Sequence, residues 1–321
     1  MIDDIIAQIA RVPGQERLLS RGPLAYCVYN NAGGRTSSVL IFGFAPGDSR
    51  PAVTVKLSRD RERASREHAA LVRLAPKLPG HVPNPYLMGE CCGWGFLAME
   101  GMAGAPITAA RLSRYLASIV ALMIALHHEG DEGPMSDADV AAEIEGPLTT
   151  FERDYAGGRI ALEGLCQAVG THLASLRGVA VPRVAQHGDF SLGNVLAGPR
   201  GSVVVVDWEE FGRVKAPGYD LVVLFSNLPR HDPFANPKLG KACAGALATY
   251  AAATRLDPRW LRVLVPVGMM RFVLFCASEG REEPLKRTLA RLESLAHRGS
   301  GALDMLAGEP AGKPARKVRT R

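Results

Sequence analysis

The sequence predicts an α+β fold with two lobes, a small β-rich lobe followed by a larger helical lobe. Three runs of β-branched and aromatic residues, at 24–29, 38–44 and 52–57, are separated by turn-forming Gly, Asn and Pro. After Gly104 the chain changes to long apolar stretches with helical spacing. At 321 residues it is long enough for two domains.

Three further elements complete the predicted small lobe. Isoleucines recur at helical spacing over residues 2–9, which predicts an N-terminal helix. Residues 59–74 are charged, and Leu71 and Leu74 recur on one face, so this segment also predicts a helix. A strand is expected at 95–100, after a Pro-rich connection.

The larger lobe is predicted to consist of helices interrupted by one β-hairpin. Helices are expected at 112–128, two or three of them within 137–176, and several more over 218–306. The hairpin pairs residues 194–197 with residues 203–207 across a Gly-Pro-Arg-Gly turn.

We therefore divide the chain into an N-terminal lobe at 1–101, a C-terminal lobe at 102–307 and a basic tail at 308–321. The tail has five basic residues and one acidic residue, a net charge of +4 out of the formal +6, so the rest of the chain carries only +2. Its composition predicts disorder. Because the rest of the chain is nearly neutral, we expect no specific nucleic-acid binding.

Cysteine usage and hydropathy predict a cytoplasmic protein without a transmembrane segment. The six cysteines form no Cys-x-x-Cys pair and no zinc-binding spacing, which indicates reduced thiols. The acidic N-terminus is unlike a signal peptide. The apolar run 116–126 is too short to cross a bilayer, and the run 261–277 is interrupted by Arg262 and Arg271.

One motif carries chemistry. Residues 187–194 read His-Gly-Asp-Phe-Ser-Leu-Gly-Asn, and Asp-Trp-Glu follows at 207–209 after the hairpin. A phosphoryl group in transfer needs a carboxylate to orient the incoming hydroxyl and a Mg²⁺ ion to neutralise charge. Asp189 is the predicted catalytic base. Asn194 and Asp207 offer hard oxygen ligands for Mg²⁺, and we also count Asn194 as catalytic.

The pattern His-x-Asp-x-x-x-x-Asn resembles the catalytic loop of the aminoglycoside phosphotransferase and choline kinase-like superfamily of small-molecule kinases. The resemblance extends over about residues 24–306 and is strongest at 186–221. It implies a protein-kinase-like fold, ATP or GTP and Mg²⁺ as cofactors, and a small-molecule hydroxyl as phosphate acceptor. For His187 it implies a structural role in organising the loop.

A kinase-like interpretation requires a lysine on the third strand and a glutamate on the next helix. Lys56 ends Ala-Val-Thr-Val-Lys, which resembles the Val-Ala-Ile-Lys strand of that superfamily. Glu67 resembles its pairing glutamate, and Glu62 is the alternative. The pair is predicted to bind the nucleotide phosphates.

The nucleotide has two further predicted contacts. Glu100 and Met102, at the end of the strand 95–100, resemble a hinge whose backbone bonds the adenine edge, although Met102 is equally compatible with the core. The residues expected to offer amides or hydroxyls to the phosphates are Gly33, Gly34, Ser37 and Ser38. A plain hairpin turn is an alternative for that segment.

Fifty-eight residues, 129–186, separate the first large-lobe helix from the catalytic loop. Helices inserted there would enclose a small acceptor and obstruct a peptide. This insertion and the missing Ala-Pro-Glu speak against the alternative of a protein Ser/Thr kinase. A second alternative is a pseudokinase, a nucleotide-binding regulator with little turnover.

The identity of the acceptor stays open between an aminoglycoside-like antibiotic, a sugar, a macrolide, an amino alcohol, a lipid-glycan and a related metabolite. A polycationic aminoglycoside would need carboxylates around it. The helical half offers these candidates, which are alternatively solvated helix faces: Asp131, Glu132, Asp137, Asp139, Glu143, Glu145, Glu279, Glu282 and Glu283.

Overall fold

The computed structural model describes residues 2–13, 15, 20, 22–31, 38–228, 232–233 and 236–299. Gly33, Gly34 and Ser37 of the predicted phosphate loop, and the whole basic tail, lie outside the described residues. Close contacts divide the chain into two units. The first contains the described residues up to Glu129 together with His187–Arg213, and the second contains Gly130–Gln186 and the described residues from Val214 onward. The boundaries predicted from the sequence at 101 and 307 stay predictions.

The first unit is built on a five-stranded antiparallel sheet with the order β1-β2-β3-β5-β4. Its strands are β1 (Ala25–Asn31), β2 (Ser38–Phe44), β3 (Pro51–Ser58), β4 (Pro85–Cys91) and β5 (Trp94–Glu100). Four of these strands were predicted from the sequence. Strand β4 was not, because we interpreted its segment as a Pro-rich connection.

Strand β4 tolerates its unfavourable residues because it lies at the edge of the sheet. Pro85 is its first residue, a position where a missing N–H removes no central ladder bond. Gly89 lies where a Cβ would approach the ring of Phe96 to 2.8 Å. The glycine that weakens the strand signal in the sequence therefore makes room for a core phenylalanine.

Two predicted helices of this unit are present. In α1 (Ile2–Ile9), Ile5, Ile6 and Ile9 are buried in the core formed with the sheet. Helix α2 (Arg61–Leu74) begins after Asp60, whose carboxylate accepts a 3.1 Å hydrogen bond from the backbone N–H of Arg63. The buried positions of α2 recur at helical spacing, so one face of this otherwise charged helix packs inward.

Helix α3 (Leu112–Gly130) and a three-stranded sheet complete the first unit. The sheet has the order β10-β9-β6, formed by β6 (Ala105–Pro106), β9 (Val195–Ala197) and β10 (Val203–Val205). Strands β9 and β10 are antiparallel. The structure therefore contains the predicted hairpin directly after the catalytic motif.

The second unit is mainly helical. Its elements are β7 (Asp131–Pro134), α4 (Asp137–Val140), α5 (Gly146–Phe151), α6 (Ile160–Ser175), β8 (Pro182–Val184), α7 (Tyr219–Ser226), α8 (Pro237–Thr254), α9 (Leu261–Ser278) and α10 (Glu282–His297). Wide π-helical turns at Ala141–Glu145 and Glu152–Ala156 make 137–156 a nearly continuous helical segment. Helix α9 is the central one, since it packs against α5, α6, α7 and α10.

Two helical segments, Ala109–Gly130 and Pro258–Ser278, are long and apolar enough to cross a membrane by length and composition. The most apolar part of the first segment is 39% buried within the protein, and that of the second is 67% buried. A core helix of a globular protein meets the same criteria. The predicted absence of a transmembrane segment and the cytoplasmic location stay predictions.

Candidate active site

Lys56 and Glu67 form a buried ion pair in the first unit. Lys56 lies on β3 with 8% of its surface exposed, and its Nζ is 2.8 Å from Oε2 of Glu67 on α2. The other oxygen of Glu67 accepts a 3.2 Å hydrogen bond from the backbone N–H of Trp208. Glu62, the alternative partner, is 85% exposed and pairs with Arg66 instead. Of the two glutamates considered, Glu67 is therefore the one bonded to Lys56.

The same lysine contacts the Asp-Trp-Glu segment. Its Nζ is 2.5 Å from Oδ1 of Asp207 and 2.9 Å from Oε2 of Glu209. Asp207 has a left-handed backbone, with φ 68° and ψ 58°, which is uncommon for a residue with a Cβ. Backbone strain of this kind is concentrated at functional sites. Here it occurs at the residue that carries the predicted metal-binding carboxylate.

Helix α2 also holds Glu209, a residue to which we assigned no role from the sequence. Nη1 of Arg63 is 3.1 Å from Oε1 of Glu209, and Nε of Arg66 donates to the Glu209 carbonyl at 3.2 Å. A signal for this contact exists, because residues 63, 66 and 67 share one helical face and 209 follows Asp207 by two positions. Glu67 and both arginines thus fix the segment after β10 to α2.

Three carboxylates of this cluster lie close together. Oxygens of Glu67, Asp207 and Glu209 lie within 4.8 Å of one another. Lys56 bonds to all three, and Arg63 bonds to Glu209. These cations hold the carboxylates near one another against their mutual repulsion.

The pKa shifts of the buried pair follow from the same charges. Burial alone lowers the pKa of Lys56, but the charges of Glu67, Asp207 and Glu209 outweigh burial and hold that pKa well above 10.5. Burial raises the pKa of Glu67, and the neighbouring carboxylates add to this rise against the opposing effect of Lys56. Lys56 is therefore a permanent positive charge at physiological pH.

The predicted catalytic loop, residues 187–194, is folded around the backbone of Asp189. The Asp189 carbonyl accepts hydrogen bonds of 2.9 Å from Nδ2 of Asn194 and from the backbone N–H of Ser191. The Asp189 N–H donates to Nδ1 of His187 at 3.3 Å. Only 6% of Asp189 is exposed. The loop is thus closed by its own hydrogen bonds, one of which comes from the side chain of Asn194.

Further hydrogen bonds connect this loop to the residue that precedes Asp207. The Val206 N–H donates to the Asn194 carbonyl at 3.0 Å, and Nε2 of His187 lies 3.1 Å from the Val206 carbonyl. His187 accepts at Nδ1, so its proton is placed on Nε2, where it is donated to Val206. Asp189, Asn194 and Asp207 consequently lie on two segments that are bonded to each other.

The donor set fits Mg²⁺. Nδ2 of Asn194 is committed to the Asp189 carbonyl, and the amide oxygen of Asn194 is a hard ligand of the kind Mg²⁺ prefers. The side chain of Asp207 is 35% exposed, which leaves its carboxylate accessible. The residues predicted to bind the metal therefore have suitable atoms.

The predicted hinge residues lie at the end of β5. The backbone N–H of Glu100 donates to the Asn84 carbonyl at 2.8 Å, and its carboxylate accepts from Nδ2 of Asn84 at 2.6 Å. Met102 follows in an irregular segment and is half-buried. Ser38 is the first residue of β2, paired with Ser58 of β3.

Several acidic residues considered for polycation binding are already ion-paired in the second unit. Glu132 contacts both Lys215 and Arg183. Glu143 is 2.8 Å from Nη1 of Arg271. Asp139 also pairs with Arg183, and Glu282 with Lys286. The pairs of Glu132, Asp139 and Glu143 join different segments of the second unit, whereas that of Glu282 is an exposed pair within one helix.

The class of protein follows from comparison with known families. A family model described as "Phosphotransferase enzyme family" matches residues 38–264, and the chain belongs to this family. A search of curated proteins found no match.

Solved structures share the fold. An aminoglycoside phosphotransferase, a thermostable mutant of APH(4)-Ia without ligand, is 15% identical with a TM-score of 0.57, covering 87% of this chain and 96% of its own. Choline kinase LicA from Streptococcus pneumoniae is 16% identical with a TM-score of 0.56, covering 91% and 99%. The GDP complex of aminoglycoside 2′-phosphotransferase-IIIa is 12% identical with a TM-score of 0.55, covering 91% and 97%.

These comparisons confirm three predictions made from the sequence: the superfamily, the two-lobed kinase-like α+β fold and the enzyme class. The comparisons do not test the roles of individual residues, which stay predictions.

Proposed function

We propose that this protein transfers the γ-phosphate of ATP or GTP to a hydroxyl group of a small molecule, with Asp189 as the base. One observation carries the proposal: Lys56 is bonded to both Glu67 and Asp207, and the loop that contains Asp189 is bonded to the residue before Asp207. In this arrangement Lys56 would bind the nucleotide phosphates, Asp207 would bind the metal and Asp189 would act as the base.

Lys56 would bind the nucleotide phosphates, and Glu67 would hold it in position. Its bond to Asp207 also fits this role, since the lysine can exchange a carboxylate for phosphate oxygens when a nucleotide enters. Adenine or guanine would be held by the backbone of Glu100 or Met102, through atoms other than the Glu100 N–H. Related folds have been solved with AMP-PNP and hygromycin B, and with GDP, which supports a nucleotide here.

Asn194 and Asp207 would hold Mg²⁺, which when bound neutralises the charge of the phosphate groups. The hydrogen bond from Nδ2 of Asn194 to the Asp189 carbonyl fixes the orientation of the Asn194 amide group, and with it the position of its oxygen. A change at Asn194 would therefore disturb both the metal ligand and the shape of the base loop.

Asp189 would orient the acceptor hydroxyl and accept its proton. Its low exposure keeps the carboxylate away from bulk water, and its backbone is held by three hydrogen bonds. A base fixed in this way loses little entropy when the acceptor binds.

The ion pairs of the second unit favour an acceptor of low charge, such as a sugar or an amino alcohol. Recognition of a polycationic aminoglycoside by Glu132, Asp139 or Glu143 would break existing bonds to Lys215, Arg183 and Arg271. Taking the carboxylate from such a pair leaves the lysine or arginine without its counter-charge, which costs stability.

The test is a panel of sugars, amino alcohols and aminoglycosides, each incubated with ATP or GTP and Mg²⁺, and scored by the mass gain of one phosphate. Asp189→Asn should lower turnover about 10²–10⁴-fold, the usual contribution of a positioned base, while nucleotide binding is retained. Asp154→Asn, at an exposed site paired with Arg153, is the control and should keep wild-type turnover.

Unchanged turnover in Asp189→Asn would refute the role of the base. Nucleotide binding without phosphorylation of any acceptor in the panel would favour the pseudokinase alternative.

A further inference from the structure

The turn between β4 and β5 contains two adjacent cysteines whose sulfurs are in contact. The Sγ atoms of Cys91 and Cys92 are 3.8 Å apart. Consecutive residues of a strand point to opposite faces of the sheet, which would separate the two thiols. Here the backbone turns at Cys92, and this turn brings both sulfurs to one place.

Cys92 is an unusual residue for its position in the turn, because its backbone φ is positive. Cys91 pairs with Trp94 across a two-residue loop in which Cys92 has φ 53° and Gly93 has φ 79°. Two positive φ angles define a type I′ hairpin turn, whose first position favours Asn, Asp or Gly. Cysteine at this position carries backbone strain, and in this turn its sulfur lies beside that of Cys91.

The two thiols are accessible and are held by a fixed support. Cys92 is exposed, whereas Cys91 is half-buried and packs against the core of the first unit. Cys27 is also exposed, but it lies on β1 at the opposite edge of the sheet. The other three cysteines, Cys166, Cys243 and Cys276, are buried.

The distance between the sulfurs of Cys91 and Cys92 matches the distance between two thiolates bound to one metal ion. A zinc–sulfur bond is about 2.3 Å long, so two thiolates on one tetrahedral ion are about 3.8 Å apart. The observed separation is 3.8 Å. We propose that Cys91 and Cys92 form a chelating dithiol site for a thiophilic ion, such as trivalent arsenic or a soft divalent metal, on the rim of the first unit's sheet.

Phenylarsine oxide is a suitable probe because its arsenic bonds to two sulfurs at once. Both thiols lose their S–H bonds, two As–S bonds form, and the oxygen of the oxide leaves as one water molecule with the two protons. Arsenic stays trivalent, so no oxidant or reductant is needed. The product is a nine-membered ring, closed through the peptide bond between the two cysteines, which a single cysteine cannot form.

The experiment measures phenylarsine oxide binding to the reduced full-length protein by mass and by loss of free thiols. Wild type should bind one arsenical at this site with loss of two thiols, and excess monothiol should not release it. Cys91→Ser and Cys92→Asn should bind about 10²–10⁴-fold more weakly, because the second bond of a chelate contributes a factor of this size. Cys27→Ser, the matched exposed control, should bind like wild type.

Cys92→Asn is the decisive variant, since asparagine suits the turn and the fold is expected to be kept. Wild-type affinity in this variant, or release of the arsenical from wild type by monothiol, overturns the proposal. A parallel titration with Zn²⁺ separates the two kinds of ion: binding of both probes assigns soft ions in general, and binding of the arsenical alone restricts the site to trivalent arsenic. Neither outcome depends on phosphotransferase activity.

Discussion

Gly188 is the position in the catalytic loop where a single methyl group should have the largest effect. Its φ is +92°, and a Cβ added there would lie 2.7 Å from the Glu210 carbonyl oxygen and 2.9 Å from the Glu210 Cβ. The Glu210 carbonyl is itself bonded to the Arg213 N–H at 3.2 Å, so it cannot move without loss of that bond.

The expected cost of Gly188→Ala has two parts. A left-handed backbone costs a residue with a Cβ about 1–2 kcal/mol. Overpacking against a fixed backbone costs about 1–3 kcal/mol more. We therefore expect the free energy of unfolding to fall by about 2–5 kcal/mol.

Gly193 in the same loop provides the matched control. A Cβ there meets only Ser191 Oγ, at 3.7 Å, which is ordinary van der Waals contact. Gly193→Ala is expected to be neutral or to stabilise by up to about 1 kcal/mol, because alanine restricts the unfolded chain.

Urea unfolding of wild type, Gly188→Ala and Gly193→Ala is followed by tryptophan fluorescence. The shift in the urea concentration at half-unfolding, at constant m, gives the change in the free energy of unfolding. If the free energy of unfolding of Gly188→Ala lies within about 0.5 kcal/mol of the wild-type value, the conclusion that residue 210 leaves no room for a Cβ at 188 is wrong. Under the proposed function, Gly188→Ala should also lower turnover by about 10²-fold, since a misplacement of about 1 Å has that effect.

Two further predictions concern buried groups. Glu67→Gln should destabilise by about 1–3 kcal/mol, because an amide nitrogen facing Lys56 leaves a buried donor unpaired. Glu62→Gln, an exposed control, should stay within about 1 kcal/mol of wild type in the same urea assay, and equal losses would contradict the assignment of Glu67. Burial raises the pKa of Cys166 from 9.0 to about 11, which lowers its thiolate fraction at neutral pH about 10²-fold relative to a thiol of pKa 9.0. Cys166 should therefore be labelled more slowly than exposed Cys27 at neutral pH, and faster as pH rises. Mass-spectrometric labelling over a pH series measures both rates, and similar rates at neutral pH would show that Cys166 is accessible.

Most of the fold could be predicted because periodicity and turn residues agree along the chain. Strands β2, β3 and β5, helix α2 and the hairpin after the catalytic loop all carry clear patterns. Strand β4 could not be found in this way, since Pro85 and Gly89 are weak strand formers and only the edge position and Phe96 explain them. Local sequence does not contain that tertiary information.

The candidate site shows a similar division. The pairing of Lys56 with Glu67, and the proximity of the 187–194 loop to Asp207, were expected from motif order, and the geometry brings them together. The bonds from Arg63 and Arg66 to Glu209 were not expected, because arginines on a charged helix usually face solvent. Residues 63, 66 and 67 share one helical face, but only the three-dimensional position of α2 shows that this face meets Glu209.

The bond between Lys56 and Asp207 has a consequence for synthesis of the chain on the ribosome. The two residues are 151 positions apart, whereas Glu67 follows Lys56 by 11. At about 5–20 residues per second, Asp207 is made roughly 8–30 s after the lysine. Throughout that interval Glu67 is available to Lys56 but Asp207 is not. The first unit therefore cannot complete its charged centre until all of residues 130–186, which belong to the second unit, have been translated.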